Sequence, residues 1–173
     1  MSLARLLALA SLLALAALPA APGAGAATVC LADRPLLYCA TAASDLEISC
    51  SANATHYSCS VEAAYGAAGS TRSALGGNLL PEATLTVSVC NGPGDCVDTQ
   101  HDLGASACTW ARGGHACADA GTLTLSLGDE LAGGCLYVNA ALSVHAAVQA
   151  ETVARTVATA TDHDILDFLS GSC

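Results

Sequence analysis

The sequence contains no lysine, and in a chain of 173 residues its five arginines are outnumbered by 15 aspartates and glutamates. The formal net charge of −10 leaves little of the cationic surface that phosphate backbones and anionic lipids require. These counts argue against a nucleic-acid partner and against a membrane-surface partner. The absence of lysine also removes the residue with which a glycine-rich loop holds a phosphate.

Aromatic residues are scarce as well: the chain has one tryptophan, one phenylalanine and four tyrosines. The hydrophobic core must therefore consist mainly of leucine, valine and alanine, which bury less apolar area per side chain than aromatic rings do. A thin core of this kind gives a small domain limited stability. We therefore expect covalent cross-links to supply much of the stability.

The first 26 residues have the pattern of a secretory signal peptide. Arg5 precedes an almost entirely apolar stretch at 6–18, and Ala24-Gly25-Ala26 supplies the small residues of a cleavage site. As a helix the stretch would be about 20 Å long, too short for a hydrocarbon core of about 30 Å. We predict cleavage after Ala26 and a single mature domain at 27–173. That domain would be secreted or held at the cell surface, without a membrane span.

All ten cysteines follow the predicted signal, and an even number in an exported chain indicates disulfides. No two cysteines are separated by only two residues, so the spacing of a zinc ribbon or a thioredoxin-like site is missing. Nearest-neighbour pairing is our hypothesis for the connectivity. The proposed pairs are Cys30–Cys39, Cys50–Cys59, Cys90–Cys96, Cys108–Cys117 and Cys135–Cys173.

Residue parity supports the pair Cys50–Cys59. If these cysteines face each other across an antiparallel hairpin, Ile48 lies opposite Val61 and Leu46 opposite Ala63. Every apolar residue then lies on one side of the sheet. The cost is Glu47 opposite Glu62 on the solvated side, a like-charge pair that destabilises by a few tenths of a kcal/mol at most.

Turn-forming residues support two further pairs. Arg112-Gly113-Gly114 between Cys108 and Cys117 predicts a hairpin turn that sets Trp110 opposite His115. The run 91–95 between Cys90 and Cys96 is also rich in turn formers. The pair Cys135–Cys173 is proposed because these two cysteines remain once the other eight are paired.

Alternation of apolar and polar residues predicts strands in the second half of the chain, most clearly at 122–127 and 136–150. Fifteen residues would extend for about 50 Å, so we expect the stretch 136–150 to bend, bulge or reverse. A return strand is expected at 152–159. Together with turn signals about every ten residues, these patterns predict an all-β fold: a disulfide-stabilised antiparallel β-sandwich of short strands.

Two segments depart from the strand pattern. The stretch 64–82 is rich in glycine, serine, threonine, asparagine and proline, which predicts a long loop or linker. The tail at 162–169 follows Thr161, a residue suited to a helix N-cap, and we expect a short C-terminal helix there.

Two kinds of candidate site can be identified. Asn53-Ala54-Thr55 is an N-glycosylation sequon at the predicted tip of the Cys50–Cys59 hairpin. A weak divalent-cation site is the one cofactor site that the sequence offers, and the group around His163 has the spacing of neither a calcium loop nor a zincin helix. A solvated acidic surface is therefore the alternative interpretation. The groups are His101 with Asp102, and Asp162 and Asp164 with His163.

The sequence favours a role without catalysis. Ser106 is preceded by Gly104-Ala105, but the second glycine of a nucleophile elbow is missing. Cysteines paired among themselves leave no thiol nucleophile.

The leading functional hypothesis is a secreted or cell-surface binding or structural module that acts by surface recognition. Its partner would be an extracellular protein or a glycan, contacted by the polar sheet faces and the predicted loop 64–82. One alternative is a small exported metal-binding protein or metal-dependent enzyme with histidine and aspartate ligands. Another is an inhibitor or toxin that presents the disulfide-closed loop at 91–95.

Overall fold

The computed structural model of the protein describes residues 25–33, 36–53, 55–71, 76–92, 96–111, 113–114, 116–131, 136–150 and 155–168. For residues 31–33, 36–37, 150 and 155–168 the description covers the backbone. Nine strands occupy most of these ranges. They are β1 (Gly25–Asp33), β2 (Leu36–Ala52), β3 (His56–Thr71), β4 (Gly77–Asn91), β5 (Cys96–Asp102), β6 (Cys108–Trp110), β7 (Ala116–Glu130), β8 (Leu136–Ala150) and β9 (Arg155–Phe168).

The strands form two antiparallel sheets that pack face to face. Sheet A has the order β1-β2-β3-β7, and sheet B has the order β5-β4-β8-β9 with the short β6 also paired to β4. The part of the chain that the structure describes contains no helix, and none of membrane-spanning length in particular. The predicted all-β antiparallel sandwich is therefore confirmed.

The core lies between the sheets and is built mainly by alternation along the strands. On β8 the even-numbered positions from Leu136 to Val148 are buried, while Ala141, His145 and Gln149 are exposed. Leu79, Leu85 and Val87 of β4 and Tyr38 of β2 are completely inaccessible to solvent. The repeat of apolar residues at every second position thus outweighs the helix propensity of the alanines in β8.

Four disulfides are present, and they coincide with four of the five proposed pairs. Three of them, Cys30–Cys39, Cys50–Cys59 and Cys90–Cys96, join residues directly opposite each other on neighbouring antiparallel strands. The register around Cys50 is the one that parity predicts, with Ile48 opposite Val61 and Glu47 opposite Glu62. Cys135 and Cys173 lie outside the described residues.

The bridge Cys108–Cys117 joins the two sheets, whereas the sequence analysis placed it within one hairpin. Cys108 belongs to β6 in sheet B and Cys117 to β7 in sheet A, and their Cα atoms are 6.3 Å apart compared with 4.0–4.1 Å in the other three bridges. The amide of Gly114 donates to the carbonyl of Ala111, which fits the expected turn, while Arg112 and His115 lie outside the described residues. The chain crosses between the layers there, because Trp110 pairs with Gly77 of β4 and turns into the core.

The stretch 64–82 is not a long loop. Residues 64–71 complete β3 and residues 77–82 begin β4. Its glycines make room for neighbouring side chains: a Cβ at Gly77 would clash with the six-membered ring of Trp110, and a Cβ at Gly69 would lie 2.8 Å from Val148 Cγ2 and 3.1 Å from Trp110 Cη2. A composition typical of loops therefore reflects close packing here.

The strands are also longer than predicted, and two expectations about the C-terminal half are wrong. The stretch 136–150 is one strand of 15 residues in continuous register with β4, so of the expected bend, bulge or reversal the last two are absent. The return strand β9 continues to Phe168, in place of a helix over 162–169. Since β9 pairs residue by residue with β8 from Gln149 back to Leu136, the ladder outweighs the local helix signal.

Candidate functional site

The outer surface of sheet A presents three rows of residues that are small or acidic and, apart from Ala64, polar, and we call this surface the polar face. Each row runs across β2, β3 and β7, so that its members are direct cross-strand neighbours. The rows are Asp45–Ala64–Thr122, Glu47–Glu62–Thr124 and Ser49–Ser60–Ser126.

The polar face is a direct consequence of alternation. Leu46 and Ile48 on β2, Val61 on β3 and Leu123 and Leu125 on β7 point into the sandwich, so the residues between them point outward. Glu47, Glu62 and Thr124, which form the middle row, are all exposed. The face is therefore accessible over three adjacent strands.

The middle of the polar face is a shallow depression of about 260 Å³. Asp45, Glu47 and Glu62 supply carboxylates to its lining, and Thr122 and Thr124 supply hydroxyl groups. Neighbouring carboxylates at Glu47 and Glu62 repel each other, and a cationic group placed between them would relieve that repulsion. The hydroxyls can donate and accept hydrogen bonds. This arrangement suits a partner that carries cationic or hydroxyl groups.

Asn53 lies in the turn between β2 and β3, where its side chain is exposed. Its Oδ1 accepts hydrogen bonds from the amides of Thr55 and His56, both at 2.9 Å, and from the Thr55 hydroxyl at 3.2 Å. The amide of Asn53 donates to the carbonyl of His56 and closes the turn. Asn53 and Thr55 of the sequon are therefore exposed in the turn between β2 and β3.

The described side chains contain no group of three or more histidine, cysteine, aspartate or glutamate residues that could hold a metal ion. The metal-ligand candidates with described side chains therefore do not form a site. His101 makes a hydrogen bond of 3.2 Å between Nε2 and Thr99 Oγ1, and Asp102 accepts from the amide of Gly104 at 2.8 Å. Asp162, His163 and Asp164 are consecutive residues of β9 whose side chains lie outside the described part. Of the loop 91–95, Asn91 and Gly92 are described.

A polar cluster at Asp119 escaped the sequence analysis. Asp119 Oδ2 accepts a hydrogen bond of 2.7 Å from the Tyr65 hydroxyl and one of 2.8 Å from the amide of Ser106. Burial of the phenol, reinforced by its hydrogen bond to Asp119, raises the pKa of Tyr65 to about 12. The cluster ties the segment that follows β5 to sheet A. Tyr65 and Asp119 are separated by 54 positions in the sequence, so no local pattern indicated the contact.

Comparisons with known proteins leave the family open. No protein-family model matches the chain, and no curated protein matches it. One similar solved structure is described as the X-ray structure of Northeast Structural Genomics Consortium target SoR45. It shares 11% sequence identity, with 72% of this chain and 86% of that chain covered and a TM-score of 0.23.

Proposed function

We propose that this protein is a secreted or cell-surface binding and structural module that recognises its partner with the polar face. The partner is an extracellular protein or a glycan whose cationic or hydroxyl groups complement the carboxylates and hydroxyls of that face. The observation that carries the proposal is the alignment of Asp45, Glu47 and Glu62 with Thr122 and Thr124 on one open sheet surface. Recognition at such a face needs no bond-making chemistry.

The disulfides support an extracellular setting, and two further features, a signal sequence and a glycan site, would agree with it. Four disulfides indicate an oxidising, extracellular-type environment. The pattern of residues 1–26 adds a secretory signal, and a glycan on Asn53 fits the exposed turn where that residue lies. Intact mass spectrometry of the exported chain tests both features: it should begin near residue 27 and carry excess mass from a glycan when the host glycosylates such proteins.

The recognition proposal is tested by measuring binding to arrayed glycans and to a panel of basic extracellular polypeptides, followed by substitution at the polar face. The double substitution Glu47→Gln with Glu62→Gln removes two charges from the middle row and keeps the side-chain sizes. We expect it to weaken binding to the best array ligand by about tenfold or more, since both carboxylates lie where the partner would dock.

The matched control removes two exposed charges from sheet B by Glu82→Gln with Asp98→Asn. It should leave affinity within about twofold of the original, because only long-range electrostatics change. Equal losses in both double variants would show that net charge governs binding, and would contradict recognition by the polar face.

A further inference from the structure

Strand β7 lies at one edge of sheet A, and its outer side has no partner strand among the residues that the structure describes. It pairs with β3 over its full length, from Ala116 opposite Ser70 to Glu130 opposite His56. Residues 120–128 of β7 contain no charged residue and no proline. A long edge of this kind exposes backbone donors and acceptors that can pair with another strand.

The other sheet edges carry the features that prevent such pairing. β5 has only seven residues and includes Asp98 and Asp102. β9 contains charged residues along its sequence, among them Arg155 and Asp167. β1 spans nine residues against the 15 of β7 and ends in the charged residue Asp33. Short and charged edges resist strand addition, so β7 is the edge best suited to it.

The inner side of β7 adds an apolar component. Leu123, Leu125 and Leu127 are each half-buried, with one part of the side chain against the core and the rest open to solvent. The outer side carries Thr122, Thr124 and Ser126. A strand added at this edge would therefore have to present leucine on one side and small polar residues on the other.

We propose that the occupant is a second copy of this chain, with its β7 paired antiparallel about Leu125. In a continuous sheet, two residues that are directly opposite each other point to the same face, and faces alternate along a strand. A two-fold axis perpendicular to the sheet can therefore pair odd-numbered residues only with odd-numbered ones, and even with even. Centred on Leu125, the pairing sets Leu123 opposite Leu127 of the partner subunit. It also sets Thr124 opposite Ser126 of the partner subunit.

Charge selects this register over its neighbours. A pairing centred on Thr124 would set Asp119 opposite Asp129 of the partner subunit, a like-charge pair. A pairing centred on Ser126 would set Leu123 opposite Asp129 of the partner subunit. With Leu125 at the centre, Asp129 faces Gly121 of the partner subunit instead, and six leucines from two chains form one apolar stripe. The two four-stranded sheets then become one sheet of eight strands, and the two polar faces become one surface over six of them.

The net charge of −10 per chain opposes association, so the dimer should tighten as salt screens that repulsion. Sedimentation equilibrium of the purified, disulfide-intact chain at about 50 mM and about 500 mM NaCl should show a monomer–dimer equilibrium that shifts toward dimer at the higher salt. A chain that remains monomeric in both buffers at concentrations on the order of 100 µM would overturn the proposal.

Substitution tests the edge. Leu125→Lys places two ammonium groups opposite each other at the two-fold axis and should weaken the dimer by about tenfold or more. The matched control is Val97→Lys, which also replaces an apolar residue by lysine. It lies on β5, an edge strand of sheet B, at a residue that is 65% exposed. Loss of the dimer in V97K but not in L125K would overturn the assignment.

Cross-linking tests the register without relying on L125K remaining folded. Under mild oxidation Leu125→Cys should form a covalent dimer, since the two introduced cysteines would be direct cross-strand neighbours. Thr122→Cys should not, because its opposite residue is Gly128 of the partner subunit and the two introduced cysteines lie about 20 Å apart. Non-reducing peptide mapping identifies the linked residue. Equal cross-linking at the two positions would contradict the pairing about Leu125.

Discussion

At the scale of single residues, Tyr65 and Asp119 show how one hydrogen bond makes stability depend on pH. The pKa of Tyr65 is raised from 10 to about 12, so its neutral form is favoured by folding. The stability that this group provides is complete below pH 10 and is lost as the pH rises toward 12. We expect the free energy of unfolding to fall across this window in the original chain.

The variant Tyr65→Phe should remove that part of the alkaline slope, because phenylalanine has no proton to lose. Below pH 9 it should be less stable by about 1–2 kcal/mol, since Asp119 loses a partner. Urea unfolding at a series of pH values measures both effects. The same alkaline slope in both proteins would assign it to other groups.

Gly77 illustrates how a single missing Cβ decides packing. A Cβ at this position would clash with the indole of Trp110, whose Nε1 donates to Thr71 Oγ1 at 3.2 Å and is thereby held in place. We expect Gly77→Ala to destabilise the protein by about 1–3 kcal/mol. The clash involves the six-membered part of the indole, so the same substitution should cost less in a Trp110→Phe background. Thermal unfolding of the four proteins of this cycle gives the coupling, and a cost independent of residue 110 would contradict the explanation.

At the scale of the elements, the four disulfides have different structural roles in spite of similar spacing. Cys50–Cys59 and Cys108–Cys117 both close a separation of nine residues, so loop-closure entropy predicts a similar loss of about 2–3 kcal/mol when either is replaced by a serine pair. The first joins neighbouring strands, whereas the second joins the sheets.

Hydrogen exchange should separate these roles. Without Cys50–Cys59, faster exchange should be confined to the adjoining ends of β2 and β3. Without Cys108–Cys117, it should increase in β6 and β7 together, because the crossing between the sheets is released. Identical exchange patterns in the two serine pairs would contradict an inter-sheet role for Cys108–Cys117.

The elements also show what sequence reasoning can and cannot reach. The hairpin around Cys50 was predictable because its information is local: period two and one disulfide determine the register. The inter-sheet position of Cys108 and the strand at 64–71 depend on Trp110 filling the space above Gly69 and Gly77, a contact between distant parts of the chain. The rows of the polar face needed the pairing of β3 with β7, which no local pattern specifies. Glu47 and Glu62 lie on one hairpin, so their pairing could be predicted from sequence. Thr124 lies on β7, so its place beside Glu62 could not.

At the scale of the whole molecule, the lack of lysine makes net charge a determinant of stability. With a formal charge of −10, folding brings like charges closer than they are in the unfolded chain. Sodium chloride screens this repulsion, so the midpoint of thermal unfolding at pH 7 should rise by a few degrees between about 50 mM and 500 mM salt. Near pH 4.5, the sequence isoelectric point, net repulsion is small and the rise should largely disappear. Repeating the measurement with L125K separates this effect from association, since salt should still stabilise that variant at pH 7. An equal rise at both pH values would instead indicate general exclusion of salt from the protein surface, and net charge would then have no special part in the stability of this sandwich.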